Sequence, residues 1–460
     1  MKKKSRSNRN LQIWTQKGLT FLGLVVLPLA LFSAEAARWR IGAASTVITP
    51  FLDSPLAGYY YDRQAEGVHD DLRAKALVID DGRSPVVLIA VDAIHITKDV
   101  ADESRRLITE KWRIPADRIM ISATHCHTGP KLTPDYRKNL SRWIADSVRT
   151  AMGELRPASL KAGVEAEPSL AHYRRFWMKD GTVRTNPGFL NPDIDRPAGE
   201  IDPEVGILLA VDDGQRPLAT WVNYAMHQDT VGGTWISADY AHFLAALLAR
   251  VEGPEMLTIF TIGAAGNINH WDVKRPGPQR GFAMAESLGQ VLGAAVIRGY
   301  TRLEAVAPVD ILASSATVDL PVGSISKNEI ESARKAMAKP LPPGVDFTLD
   351  RVRQARAVRI GEQNGKSVSV EVQAFLLGDV AIVGLPGEVF VELGRTIKKE
   401  SPFPITFIVE LANDNVGYIP TTEAFAQGGY EPTSSILTPG SGEKLAAKAV
   451  ELLRQLKKDK

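Results

Sequence analysis

Two histidines stand at the end of an apolar segment, separated by one cysteine. His125 and His127 follow the strand-like run 118–124 and precede a Gly-Pro turn. Side chains at i and i+2 of an extended chain point to the same side, so both imidazoles can share one site. Neutral imidazole is a frequent zinc ligand, and ligands commonly bind beyond strand ends in α/β sheets. The pair indicates a metal site, with structural hydrogen bonding as the alternative.

Two other strand-like segments also end in a residue that can bind a metal. His227 follows the run 218–225, and Glu388 follows the run 380–383 and a Leu-Pro-Gly turn. Histidines delivered by separate strands to one sheet edge would form part of a tetrahedral zinc site. Taken alone, His227 is also typical of a strand terminus, and Glu388 of a solvated or helix-capping acid.

The segments around these residues alternate between strand-like and helix-like patterns. The strand-like runs are 84–92, 118–124, 218–225 and 256–262, and the amphipathic helical runs are 99–112 and 237–251, the latter with Ser237 as N-cap. Because the apolar face of each strand needs a covering layer, this rhythm predicts an α/β fold with helices packed on the faces of a mixed β-sheet.

The second half of the sequence predicts additions to this sheet. Alternating residues at 312–320 and 367–377 favour antiparallel strands, and a final helix is predicted at 442–457. Between them, residues 326–356 carry a charged helical pattern interrupted by prolines, which predicts a surface excursion. We expect a single large domain over residues 38–460.

The N-terminus has the order of a secretory signal peptide. Six basic residues precede position 18, followed by the apolar stretch 19–32 and small residues at 34–37. We expect cleavage near Ala36 or Ala37 and export to the periplasm or the extracellular space. An uncleaved N-terminal anchor is the alternative.

Composition excludes one class of partner. Removing residues 1–37, which hold six Lys and Arg and one Glu, leaves 49 basic and 52 acidic residues. This balance lacks the basic excess typical of nucleic-acid binding, so we predict no nucleic-acid partner. The single cysteine, Cys126, cannot form an intramolecular disulfide, so stability must come from the core.

The same residues lie in segments that resemble neutral, non-lysosomal ceramidases. In order, these segments are 40–50, 58–80, Thr-His-Cys-His-Thr-Gly-Pro at 124–130, the His227 segment, Leu-Pro-Gly-Glu at 385–388, and Leu-Ala-Asn at 411–413 with Tyr418 and Tyr430 after it. The likeness covers most of residues 38–455. It implies a zinc-dependent amidohydrolase that cleaves ceramide or another N-acyl amide.

The resemblance also implies individual roles. Its zinc ligands correspond to His125, His227, Glu388 and Tyr418. It places His127 and Tyr430 beside the scissile amide, and Arg174, or Arg175 next to it, in contact with substrate. Zinc would then activate water, His127 would move protons, and Tyr430 would stabilise the oxyanion.

One catalytic segment departs from the family. Neutral ceramidases have a Gly-Asp-X-Ser-Pro-like run in which the aspartate and serine act, whereas this chain has Asn267 and Asn269 there. An amide can donate to an oxyanion or a substrate hydroxyl but cannot act as a deprotonated nucleophile. We therefore expect Asn269 in the catalytic site, Asn267 in contact with substrate, and a zinc-water route. His270 and Asp272 either add acid/base groups or only shape the loop.

Substrate class stays open at this level. The immunoglobulin-like domain that usually follows the catalytic domain in the family has no counterpart before Lys460. A small-molecule or lipid-like amide is the leading substrate, with other amides or esters as alternatives, and peripheral membrane contact is compatible with a lipid-like one. Tyrosines 59–61 either line a pocket or pack at its rim.

Three other interpretations compete. A serine hydrolase is disfavoured because the sequence has no Gly-X-Ser-X-Gly elbow. A non-catalytic exported binding protein would retain the fold without turnover. The residues His69, Asp70, Asp92 and His95 form either a second metal site or paired structural polar groups.

The N-terminal prediction can be checked directly. Secretion of the full chain should yield a mature protein whose first residue is Ala37 or Arg38, because signal peptidase cleaves after small residues. N-terminal sequencing or intact-mass measurement gives the answer, and a mature chain that retains residues 19–32 would favour the anchor.

Overall fold

The computed structural model describes residues 39–460 except 340, 342–347 and 364. The expected signal peptide and the prolines at 340, 342 and 343 lie outside the described residues. The strands of the first half are β1 (Trp39–Val47), β2 (Gly67–Val68), β3 (Arg73–Asp80), β4 (Val86–Val91), β5 (Ile119–Ala123), β6 (Arg156–Ala166), β7 (His172–Tyr173), β8 (Arg175–Met178), β9 (Val183–Thr185), β10 (Ile194–Pro197), β11 (Glu204–Asp212) and β12 (Pro217–Tyr224).

Shorter strands are more frequent in the second half. These strands are β13 (Trp235–Ile236), β14 (Leu257–Ile262), β15 (Ile268–Asn269), β16 (Glu304–Ala305), β17 (Leu312–Leu320), β18 (Val368–Leu377), β19 (Val380–Gly384), β20 (Glu388–Val389), β21 (Ile405–Val409) and β22 (Tyr418–Ile419). The helices are α1 (Lys98–Trp112), α2 (Pro134–Gly153), α3 (Asp239–Glu252), α4 (Phe282–Tyr300), α5 (Lys327–Met337), α6 (Leu349–Gln363), α7 (Val391–Glu400), α8 (Thr422–Gln427), α9 (Tyr430–Ser434) and α10 (Ser441–Asp459).

Two mixed sheets form the centre of the fold. The larger has the order β14-β12-β11-β6-β1-β3-β4-β5, with β16 also paired to β6, and the smaller has the order β17-β18-β19-β21. Within them, β4 and β5, β12 and β14, and β19 and β21 run parallel, whereas the other pairs are antiparallel. The predicted α/β class with a mixed sheet is confirmed.

The sheets pack face to face and helices cover their outer faces. Trp221 of the larger sheet and Phe407 of the smaller one belong to one buried cluster, with ring centroids 5.1 Å apart. On the far side of the larger sheet, α1 to α4 bury their apolar faces, and α7 and α10 do the same on the smaller sheet. Four layers therefore bury the apolar faces of all the long strands.

The predicted elements agree with the structure except at the N-terminus of α3. Strand 312–320 has the predicted bounds, and the other long predicted strands shift by only a few residues. Ser237 is not the N-cap of α3: the helix begins at Asp239 after Ala238, and the Ser237 hydroxyl accepts the Asp239 amide at 3.0 Å.

The charged segment 326–356 forms α5 and the start of α6 and is mostly exposed as predicted, although Ala333, Arg351 and Val352 are buried. Arg359, further along α6, lines a cavity.

Parallel strand pairs position the chemistry-bearing residues. His125 lies just beyond β5, His227 beyond β12 and Glu388 beyond β19. Each of these strands has a parallel neighbour, but the β4–β5 and β12–β14 pairs run in opposite directions, since five antiparallel pairings separate them in the larger sheet. The loops that follow β5, β12 and β19 nevertheless meet at one site. Among the residues that the structure describes, no helix has the length and apolar character to cross a bilayer.

The packing of α2 on β1 gives a stability prediction. A Cβ at Gly42 would lie 2.0 Å from the Ala151 carbonyl oxygen, which is backbone and cannot move aside. We expect Gly42→Ala to lower the free energy of unfolding by about 1–3 kcal/mol through overpacking. Denaturant unfolding measures this.

Gly153, at the end of the same helix, provides the matched control. A Cβ there meets nothing within 4 Å, so Gly153→Ala should leave stability unchanged or slightly raised. Equal stabilities for the two variants would contradict the close approach of α2 to β1.

Candidate metal centre

Two imidazoles and a carboxylate converge where the loops after β5, β12 and β19 meet. Glu388 Oε2 lies 3.5 Å from His125 Nε2 and 3.4 Å from His227 Nε2. Donors bound to zinc at 2.0–2.1 Å stand roughly 3.3–3.4 Å apart in a tetrahedron. The spacing of the three side chains therefore fits one metal ion, although the loops that carry them are distant in sequence.

Local backbone geometry places these ligands. His125 has a left-handed φ of 67°, which is uncommon for a residue other than glycine and turns the chain sharply after β5. Glu388 and Tyr418 are register partners because β20 pairs in parallel with β22. Gly387 permits this pairing, since it has a φ of 88° and a Cβ there would lie 2.5 Å from the Gly417 oxygen.

The hydrogen bonds of the imidazoles indicate which nitrogens face the centre. His125 Nδ1 lies 2.8 Å from the Ile94 oxygen, and His227 Nδ1 lies 2.9 Å from the Ala265 oxygen. Carbonyl oxygens only accept, so both Nδ1 atoms carry the proton and, in the neutral rings, both Nε2 atoms present lone pairs. Second contacts of this kind fix the tautomer of metal-binding histidines.

The protonation states of His227 and Glu388 also favour a metal site. Burial lowers the pKa of His227 to about 3, so its ring is neutral near pH 7. Burial raises the pKa of Glu388, and a hydrogen bond from the Tyr418 hydroxyl opposes that rise and favours the carboxylate. Glu388 Oε2 is buried and has no hydrogen-bond partner among the described residues. A carboxylate oxygen that faces two imidazole lone pairs is suited to bind a cation, so these residues fit a metal ion.

Arg174 closes one side of the centre. Its Nε donates to Glu431 at 2.8 Å, one terminal nitrogen donates to the Gly266 oxygen at 2.6 Å, and the other lies 3.2 Å from His227 Nε2. The guanidinium carbon lies 5.4 Å from the centroid of the Tyr418 ring. Glu431 is fully buried and was not identified from the sequence. It holds Arg174 against the site.

Arg175 points away from the centre. Its terminal nitrogens donate to Glu431 at 3.1 Å and to Gln427 at 3.0 Å, and its side chain is fully buried. These contacts anchor α8 and α9 to β8. Of the two arginines that the sequence offered as substrate contacts, Arg174 therefore lies in the site, whereas Arg175 only holds Glu431 and α8 in place.

His127 stands beside the metal-binding groups and has an acidic neighbour. Its Nε2 lies 3.2 Å from His125 Nε2, and its Nδ1 lies 3.6 Å from Asp229 Oδ1. Asp229 also accepts a hydrogen bond from the Tyr59 hydroxyl at 2.6 Å. Burial lowers the pKa of His127 to about 4, although Asp229 acts in the opposite direction. The arrangement suits either proton transfer or a further metal contact, since the ligand atoms of His125, His127 and His227 lie within 4.8 Å of one another.

Two tyrosines border the open side of the centre. The rings of Tyr418 and Tyr430 are 5.5 Å apart in an edge-to-face arrangement, and the Tyr430 hydroxyl lies 3.3 Å from that of Tyr60. Both rings line a cavity of about 390 Å³ that also contains His125, His127 and Glu388. Tyr59 and Tyr60 line it too, whereas Tyr61 is partly exposed at the rim.

The two asparagines serve the loop rather than the open centre. The Asn267 amide donates to Tyr173 at 3.1 Å and to Glu392 at 2.9 Å, and its oxygen accepts the Val391 amide at 2.9 Å. With these groups engaged and the side chain fully buried, the substrate contact expected of Asn267 does not fit.

Asn269 also lies behind the site. It donates to Asn186 at 3.0 Å and accepts the Trp271 amide at 3.0 Å, and it is 5% exposed. Asn186 lines a second cavity next to the centre. Asn269 can therefore orient a cavity residue, whereas the direct catalytic role expected of it is not favoured by these contacts.

Glu410 was missed in the sequence and joins two of the ligand-bearing loops. Its Oε2 accepts the Ala265 amide at 3.2 Å and the Val389 amide at 2.7 Å. Burial raises the pKa of this carboxyl well above its usual range. Ala265 also receives the His227 proton, and Val389 follows Glu388, so one buried acid fixes the spacing of two metal-binding groups. A lone acid after an apolar strand, as in 405–409, is the only sequence signal for it.

The remaining polar candidates have structural partners. Asp92 pairs with Lys75 at 3.3 Å and accepts the Arg73 amide. His270 donates to the Gln279 oxygen at 2.7 Å, and the Gln279 side chain accepts the Asp272 amide, which favours the loop role.

A second group of possible metal ligands consists of His69, Asp70 and His242. Asp70 lies 2.8 Å from His69 and 3.6 Å from His242, while its oxygens also accept hydrogen bonds from the Ser237 hydroxyl and from the Ala238 amide at the start of α3.

Cys126 donates to the Ser237 oxygen and is buried away from the open cavity.

Comparison with known structures identifies the fold. No protein-family model matches the chain. The crystal structure of neutral ceramidase from Pseudomonas aeruginosa superposes with a TM-score of 0.73 at 18% identity, covering 92% of this chain and 75% of that one. The chain has the neutral ceramidase fold. A ceramidase complexed with C2 gives a TM-score of 0.72 at 18% identity, with 92% and 76% covered. At this identity, the likeness to ceramidases concerns the fold, and chemistry must be argued from the site.

The buried histidines predict acid sensitivity of the metal-free protein. The pKa of His227 is about 3 and that of His127 about 4 in the folded chain, both lowered by burial from 6.5. Between each folded pKa and 6.5, the unfolded chain binds more protons than the folded chain. The free energy of unfolding that these histidines contribute is therefore fully present above about pH 6.5 and decreases as the pH falls toward 3. Denaturant unfolding between pH 7.5 and about 4 should show this loss.

His227→Gln is the comparison variant, because its amide does not titrate. It should show a shallower dependence of unfolding free energy on pH than the unmodified chain. An equal slope in both proteins would mean that His227 is not held neutral by its surroundings.

Proposed function

We propose that this protein is a zinc-dependent hydrolase of amide bonds, with His125, His227, Glu388 and Tyr418 as the zinc ligands. The observation that carries the proposal is the buried Glu388 carboxylate, which faces the unprotonated nitrogens of two imidazoles at 3.4 and 3.5 Å. A bound cation would compensate this buried charge more fully than the Tyr418 hydrogen bond and the nearby Arg174 guanidinium do.

The donor set fits zinc better than a hard cation. Two imidazole nitrogens, which are borderline donors, accompany a carboxylate and a phenol oxygen, whereas magnesium or calcium would prefer oxygen ligands alone. When bound, zinc would supply Lewis acidity, which lowers the pKa of a bound water toward about 7 and polarises the scissile carbonyl.

The surrounding side chains provide the other requirements of amide hydrolysis. His127 is placed to accept a proton from the attacking water and return it to the leaving amine, while Asp229 orients its ring through Nδ1. Tyr430 faces the cavity and can donate to the oxyanion of the tetrahedral intermediate. Arg174, fixed by Glu431, contributes positive charge beside the centre.

An amide is the favoured substrate because the chain shares its fold with a neutral ceramidase and with a ceramidase complexed with C2. The aspartate and serine of the family are replaced by Asn267 and Asn269, which excludes a serine acyl-enzyme and leaves water as the nucleophile. We also propose export through the signal-like segment 1–37, for which the sequence alone is the support.

Metal analysis separates the ligands from the proton carrier. We expect His125→Ala and His227→Ala to lose zinc and hydrolysis of N-acyl amides, because each removes one of four donors. His127→Asn should keep zinc and lose at least about 100-fold in kcat, since general acid–base catalysis contributes that much or more. The measurements are zinc content by mass spectrometry and hydrolysis of N-octanoylethanolamine.

His270→Asn is the control, since that histidine is buried but bonded to Gln279 in a loop. It should retain zinc. Loss of zinc in His127→Asn would make His127 a ligand, and unchanged zinc content in His125→Ala or His227→Ala would contradict the proposed centre. A zinc-loaded chain that hydrolyses no amide would contradict the proposed activity.

A further inference from the structure

Two cavities meet at the candidate centre and extend from it in different directions. They share the lining residues Gly58, Tyr59, Tyr60, His127, Tyr418 and Tyr430. The larger, of about 390 Å³, continues past His95 and Arg359, and we call this part the α6 arm. The smaller, of about 270 Å³, continues past Trp271 and Arg280. An amide held at the centre has two substituents, so each arm can receive one.

Arg359 distinguishes the α6 arm. The helix α6 carries this arginine to the cavity, where one terminal nitrogen donates to the Val416 oxygen at 2.9 Å. The side chain is half-buried, and within the part of the chain that the structure describes no carboxylate lies within ion-pair distance of it. Its guanidinium thus has donors left over and lacks a counter-charge.

The other guanidinium groups at the cavities are already compensated. Arg174 is paired with Glu431 at 2.8 Å, and Arg280 lies 3.8 Å from Asp229 and over the Trp271 ring. Desolvating a cation is unfavourable where little compensates it, and the hydrogen bond from Arg359 to the Val416 oxygen uses only one of its donors. Arg359 is therefore available for a charge that comes from outside the protein.

The ordered surroundings of Arg359 suit recognition of a planar anion. Val416 fixes one edge of the guanidinium, and Gly417 lies so close that a Cβ there would be 2.9 Å from a terminal nitrogen. His95 lines the same cavity and is near both ends of this arm, since it interacts electrostatically with His125 and with Arg359. A fixed guanidinium fork matches a carboxylate, which can accept two parallel hydrogen bonds.

We propose that Arg359 binds a carboxylate on the substrate, so that the preferred substrates are anionic amides whose charged substituent occupies the α6 arm. This inference rests on the proposed amide hydrolase and specifies its substrate class. The carboxylate belongs either to the leaving amine, as in an N-acyl amino acid, or to the acyl group, as in a dicarboxylic acid monoamide. A neutral two-tailed lipid would leave Arg359 without a partner.

Matched substrates test the proposal. N-octanoylglycine and N-octanoylethanolamine differ by a carboxylate on the amine side, and N-butylsuccinamate and N-butyl-4-hydroxybutanamide differ by one on the acyl side. The zinc-loaded protein should favour the anionic member of one pair by at least about tenfold in kcat/KM, the usual value of a charge-assisted hydrogen bond. Arg359→Gln should abolish that preference by lowering kcat/KM for the anionic member at least about tenfold more than for the neutral member.

Arg353→Gln is the matched control, because Arg353 is an exposed residue of α6 that pairs with Asp350. It should retain the preference, and Arg359→Lys should retain part of it. Equal or better hydrolysis of the neutral members overturns the carboxylate proposal but leaves the hydrolase intact. An equal loss on both members in Arg359→Gln also overturns it, since it would show a structural role. Absence of hydrolysis of every amide, with zinc bound, defeats the proposed activity itself.

Discussion

The buried contact of the Glu388 carboxylate with two imidazole lone pairs is the constraint on which the rest of the site depends. Both imidazoles donate their only protons to backbone carbonyls of neighbouring loops, so neither His125 nor His227 can compensate the carboxylate while neutral. The Tyr418 hydroxyl donates to this carboxylate, and the Arg174 guanidinium interacts with it electrostatically. In the proposed zinc-bound protein a divalent ion would stand between the three groups, and the observed distances suit it.

Much of the polar network around the centre serves to keep these groups at that distance. Glu410 accepts hydrogen bonds from backbone amides in the loop after β14 and in β20. Glu431 of α9 pairs with Arg175 at the start of β8 and with Arg174 just before it. Each acid is fully buried and joins segments from different parts of the chain. The site is therefore preorganised, because its ligands lie on short loops between packed strands and are held by second contacts. Removing one such contact should affect geometry before it affects the fold.

The sequence was informative wherever the signal was local. Apolar strands ending in His125, His227 and Glu388 could be found by pattern, and so could the alternation of strands and helices that gives the α/β class. Tyr418 required family likeness, because an aromatic residue is usually a packing residue. The roles of Asn267 and Asn269 could not be obtained from the motif. Whether an amide faces a cavity or the backbone of the next loop depends on long-range packing, and both asparagines face neighbouring loops.

By itself, the sequence determined the order of the elements, the residues able to bind a metal, and the absence of a serine nucleophile at position 269. Only the tertiary structure decided which of these meet. The stacking of two sheets brings the ends of three parallel strand pairs together, and α6 places Arg359, which lies just beyond the charged segment 326–356, at the cavity. The physical reason is that periodicity reports the burial of one face of an element. It contains no information on which distant helix or strand will pack against that face.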